Sequence, residues 1–86
     1  MKLVVKISPF ALMQNLFVVS DEGETIDKFT ISFSELNDKI FNCINSYSLN
    51  QIDLVGPKSF SLGVKKTLLK ENVNKYNNQE LDIKII

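Results

Sequence analysis

Groups that move protons, hold metals or seat charge are scarce in this chain. Histidine is absent, cysteine occurs once at Cys43, and all ten basic residues are lysine. Without histidine there is no imidazole general base, no Ser-His-Asp triad and none of the usual zinc spacings. A lone cysteine excludes a disulfide framework. Without arginine, no side chain offers the planar five-donor fork that grips carboxylate, phosphate or guanine. One place suited to an anion remains. Gly56, Pro57, Lys58 and Ser59 stand where an apolar run gives way to a helical pattern, and a helix N-terminus presents free N–H groups and the positive end of a dipole. Lys58 would add charge there and Ser59 a hydroxyl. The same four residues also read as a plain turn, with Ser59 capping the helix and Lys58 in water. Asp21, Glu22 and Glu24 lack the dense oxygen pattern of a calcium loop and read as solvated charge at a hairpin tip, so no metal or cofactor is expected. Cys43 falls on an apolar helix face and reads as a small core residue.

The elements that hold these residues follow from periodicity. Lys2 to Ser8 is a nearly continuous β-branched run, which predicts a first strand covered on both faces. Pro9 ends it, and Phe10 to Asn15, apolar without alternation, predicts a compact loop or one helical turn. Leu16 to Ser20 and Thr25 to Ser32 form a hairpin around Asp21-Glu22-Gly23-Glu24. Ser34 as N-cap opens a helix to Tyr47, with Leu36, Ile40, Cys43, Ile44 and Tyr47 on one face. Gln51 to Val55 is a short strand stopped by Gly56-Pro57. A second helix spans Ser59 to Tyr76, with Gly63 near its start marking a close contact against the sheet. Asn77-Asn78 breaks that helix, and Glu80 to Ile86 is the last strand.

This gives a single domain, residues 1–86, of α/β class in the order β-β-β-α-β-α-β. Three strands in an antiparallel meander followed by two right-handed crossovers predict a five-stranded mixed sheet ordered 3-2-1-4-5 with two helices. In that order the chain resembles a pared-down ribonuclease H-like fold, the unit also found in actin-like ATPase half-domains. It is also similar to small bacteriophage proteins in which an apolar strand leads to a Gly-Pro-Lys turn and a helix with an early glycine, here Gly56, Pro57, Lys58 and Gly63. The nucleases of the ribonuclease H-like group hold two metal ions on carboxylates, one in the first strand. Here that strand reads Lys-Leu-Val-Val-Lys-Ile-Ser, and Ser8-Pro9-Phe10-Ala11 stands where the ATPases carry a glycine-rich phosphate loop. Neither catalytic activity is expected.

Ten lysines balance ten acids, so the composition offers no basic excess to steer a polyanion, and nucleic acid is not an expected partner. No apolar run reaches the roughly 18 residues of a membrane span. The first residues lack the small-residue cleavage site of a signal peptide, so the protein is expected in the cytoplasm of its host cell with Cys43 reduced. Abundant lysine and asparagine point to AT-rich coding. Six phenylalanines in 86 residues exceed what a thin core must hold. Phe10, Leu12 and Met13, with Phe17, therefore read as an adhesive surface, or else as a loop folded over one end of the sheet. Ile83 and Ile85 on the final edge strand form a second candidate interface. The expected function is a non-enzymatic protein-interaction module, a phage or mobile-element accessory or inhibitory protein working through such a surface or through a homo-oligomer. The alternative is a small-ligand or nucleotide-binding protein seating an anion at Gly56 to Ser59.

Overall fold

The structure is a computed structural model that describes residues 1–71 and 81–86. Its elements are β1 (Lys2–Lys6), β2 (Met13–Val19), β3 (Thr25–Ser32), a 3-10 turn (Phe33–Glu35), α1 (Leu36–Ser46), β4 (Gln51–Val55), α2 (Lys58–Lys70) and β5 (Asp82–Ile85). They form one five-stranded sheet in the expected order, β3-β2-β1-β4-β5. The β1–β2 and β2–β3 pairs are antiparallel, and the β1–β4 and β4–β5 pairs are parallel.

Handedness decides which face of this sheet is covered. The β3-α1-β4 and β4-α2-β5 crossovers step in the same direction across the sheet, and right-handed connections made in one direction place both helices on one face. Leu3, Val5, Leu16, Val18, Ile52, Leu54 and Ile83 line that face and are buried together with Ile40 and Ile44 of α1 and Val64 and Leu68 of α2. Each such aliphatic side chain withdrawn from water stabilises the fold by about 1.5–3 kcal/mol. Coverage of β1 on both faces, expected from its run of β-branched residues, is corrected by this arrangement. Val4 lies on the other face and is only half-buried.

Several boundaries also move. β2 begins at Met13, three residues before Leu16, because the inward position two residues earlier is filled by the polar Gln14, which is fully buried. Ser34 does not cap α1. A 3-10 turn leads into the helix, and the Ser34 hydroxyl pairs with that of Ser32 at 3.1 Å. α2 starts one residue earlier than expected, at Lys58, and Ser59 lies inside its first turn without capping it. The expected continuation of α2 to Tyr76, the Asn77-Asn78 break and Glu80 fall outside the described residues.

Gly63 relieves no close contact, since a Cβ built there meets nothing within 4 Å. Glycine inside a helix costs about 1 kcal/mol relative to alanine. Gly63→Ala is therefore expected to raise stability by up to about 1 kcal/mol in urea denaturation, where a close contact would instead produce a loss.

The end of α1 is tied to the edge strand β3. The Tyr47 hydroxyl donates to Asp27 Oδ2 at 2.5 Å, and Lys39 Nζ lies 3.8 Å from the Phe29 ring centroid. The Tyr47 hydrogen bond, helped by the Lys28 N–H, holds the Asp27 carboxyl below its ordinary value of 3.8, and the same bond pushes the Tyr47 phenol above its ordinary 10.0. A depressed carboxylate stabilises the fold above its unfolded value and loses that contribution as pH falls through the folded value. A raised phenol contributes below its unfolded value and loses that contribution as pH rises through the folded one. Thermal melts of wild type and Tyr47→Phe should therefore differ most between these limits. The two curves should draw together as pH falls below 3.8 and meet below the folded value; a difference that persisted unchanged into acid would remove Asp27 as the partner.

Candidate interaction surface

The connection between β1 and β2 is organised by one side chain. Proline at 9 fixes φ, and Ala11 N–H bonds back to the Ser8 carbonyl at 3.0 Å, closing a tight turn. Gln14, at the second position of β2, points inward beneath this turn. Its Oε1 accepts the Ser8 N–H, while its Nε2 donates to the Ser8 carbonyl at 2.8 Å and to the Ala11 carbonyl at 3.3 Å. A buried amide satisfied in this way costs little, whereas an unpaired one would cost about 1–3 kcal/mol. The polar groups of the loop are thus gathered inward onto one residue.

The apolar side chains of the same loop are left outside. Phe10 is fully exposed, Leu12 is 91% exposed and Met13 is exposed by nearly half. The loop does not fold over the end of the sheet. Its backbone is held by the hydrogen bonds of Gln14, and its two largest apolar groups face solvent.

The second candidate interface is corrected by the register. Ile52 pairs with Ile83 and Leu54 with Ile85, and Ile52 and Leu54 face the helices, so Ile83 and Ile85 face them too. Ile83 is buried and Ile85 half-buried. The parity of a strand leaves Asp82 and Lys84 on the opposite face, 3.7 Å apart. These isoleucines belong to the core and its margin.

At the proposed anion seat, Gly56 has φ +155°, Pro57 stands at the N-cap position of α2, and Phe60 N–H and Ser61 N–H bond to the Pro57 carbonyl at 3.1 and 3.0 Å. Lys58 and Ser59 are exposed. The four residues are contiguous; Gly56 packs against Ile7, and Ser59 shares a groove with Phe33 and Asn37. Beside this end of α2, Phe60 meets Phe33 edge to face, with ring centroids 6.1 Å apart, at the rim of a groove of about 330 Å³. The remaining candidates take quiet places. Cys43 is buried, and burial pushes its thiol pKa up. Asp21 binds the N-terminal ammonium at 2.9 Å. Among the described residues, no three cysteine or carboxylate side chains converge, and no helix is long and apolar enough to cross a membrane.

Sequence reasoning missed the sheet face that no described element covers. It carries Val4, Phe17, Val19 and Val55 half-buried along its middle. Lys6 and Lys28 flank the Phe17 ring, with Nζ 5.2 and 5.5 Å from its centroid. Asp53 is nearly buried in the same face between Lys2 Nζ at 3.3 Å and Gln51 Nε2 at 2.6 Å. The signal lay in the alternation of lysine with valine in β1, but it is complete only once strands distant in sequence are set side by side. The likeness to ribonuclease H-like folds rests on strand order alone. Compared with known protein families, with curated proteins and with solved structures, the chain matches none.

Proposed function

We propose that this chain is a non-enzymatic protein-interaction module that seats Phe10 and Leu12 in an apolar recess of a protein partner, and that it serves a phage or mobile element as an accessory or inhibitory protein. The observation that carries the reading is the exposure of both side chains on a loop clamped by buried Gln14. Binding ordinarily costs the ordering of a loop and its side chains, and a loop ordered in advance has less to lose. Aromatic groups bury about 150–250 Å² each and dominate the centres of interfaces. An exposed phenylalanine and leucine leave water only against a second surface. The absence of histidine and arginine supports a role without chemistry, and AT-rich coding supports the source. Action in the host cytoplasm goes with the same reading.

The test compares purified protein with protein in the cells that make it. Phe10→Asp and Leu12→Asp should unfold within about 0.5 kcal/mol of wild type, as surface substitutions do. On native gels of fresh lysate, wild type should run in a complex larger than the monomer, and both variants should run as monomer. A monomeric wild type, or a complex indifferent to both substitutions, would overturn the reading.

A further inference from the structure

We infer that the sheet face left open by the described elements is the second half of the same interface, and that its occupant is a protein surface apolar at the centre and acidic at the rim. The inference rests on the proposed role of the β1–β2 loop, which runs directly into this face. Met13, the first residue of β2, shares strand parity with Asn15, Phe17 and Val19. Phe17 pairs with Val4 of β1, so Met13 beside the loop and the Phe17–Val4 pair lie on one face, with Asn15 and Lys6 between them.

Charge selects the occupant. The face bears Lys2, Lys6, Lys28 and Lys84 against Asp53 and Asp82, a balance of four minus two, or +2; because the whole chain is neutral, the remainder carries −2. Asp53 lies between Lys2 and Gln51, and Asp82 lies beside Lys84, whereas Lys6 and Lys28 have no ion pair among the described residues. These two ammonium groups stand on either side of Phe17, where they suit carboxylates at the edge of an apolar contact. A second copy docked face to face would set +2 against +2. A nucleic-acid strand would find one aromatic platform, three valines and two carboxylates, where such surfaces ordinarily supply several stacking rings and a continuous basic track. Protein with an acidic rim is the chemistry that fits.

The experiment uses the full chain and a phage-displayed library of random 12-residue peptides, selected on wild type. Enriched peptides should combine aromatic or aliphatic residues with flanking aspartate or glutamate. They should shift amide resonances of β1, β2 and β4, and bind Lys6→Glu/Lys28→Glu at least tenfold more weakly, with Lys6→Gln/Lys28→Gln between the two. Both lysines are exposed, and matched melting curves would establish that the variants fold. Four results would overturn the inference: no enrichment, enrichment without an acidic bias, binding unchanged in Lys6→Glu/Lys28→Glu, or tighter binding of a twenty-nucleotide oligothymidine to the same amides. Lys6→Glu/Lys28→Glu leaves Phe10 and Leu12 intact. A native-gel complex that depends on Phe10 but not on these lysines would therefore refute the acidic occupant while leaving the loop reading in place.

Discussion

Gly56→Ala is expected to lower the unfolding free energy by about 3 kcal/mol, combining backbone strain with overpacking. At φ +155° the backbone is in a region that residues with a Cβ rarely adopt. A Cβ there would lie 2.5 Å from the Ile7 carbonyl oxygen and 3.0 Å from Ile7 Cβ. The neighbour has little freedom to yield, because Ile7 N–H is bonded to the Val55 carbonyl at 2.7 Å and the Ile7 side chain is in the core. Urea denaturation measures the loss directly. A change below about 1 kcal/mol would show that the β4–α2 turn relaxes far more readily than its contacts indicate. The same result would return Gly56 to consideration as part of a ligand seat, because its close approach to Ile7 would no longer account for it.

Gln14→Ala should cost about 2–3 kcal/mol, since it strands the Ser8 N–H together with the carbonyls that Nε2 serves. Gln14→Glu is the sharper variant. A carboxylate still accepts from the Ser8 N–H but has no donor for the Ser8 and Ala11 carbonyls, and it buries a charge. Its loss should equal or exceed that of alanine at neutral pH. Both variants should also free the loop, seen as lower heteronuclear NOE values at Phe10 and Leu12. Loss of stability without any gain in loop motion would mean that Pro9 and the Ser8–Ala11 turn hold the prong unaided.

The sheet order was legible because chain order, the short meander connections and crossover handedness leave few alternatives. The same handedness rule implies a single covered face. The run Leu3-Val4-Val5 concealed it, since a half-exposed valine and a buried one look alike in sequence. Gln14 was illegible for a related reason: a polar residue at an inward position breaks the alternation that marks a strand, and its partners are loop amides that no pattern displays. Ile83 and Ile85 were misplaced because edge position says nothing about which face a side chain takes; only the register with Ile52 and Leu54 does. Gly63 looked structural by type alone, and the space around it is open. Phe10, Leu12 and Met13 were legible as surplus apolar residues, but their clamped presentation depends on the Gln14 hydrogen bonds, which no pattern displays. Lysines spread from residue 2 to residue 84 gave no sign of a shared face, because pairing of strands far apart in sequence assembles it.

The central claim is that Phe10 and Leu12 enter a protein partner. Site-specific photo-crosslinking tests it most directly: a benzophenone-bearing residue is placed in turn at position 10, at position 12, and at Leu69, which is also exposed but lies on α2. Irradiation of the producing cells should give one and the same protein adduct from positions 10 and 12, identified by mass spectrometry, and none from position 69. Equal adducts from all three positions, or none from the loop, would contradict the account.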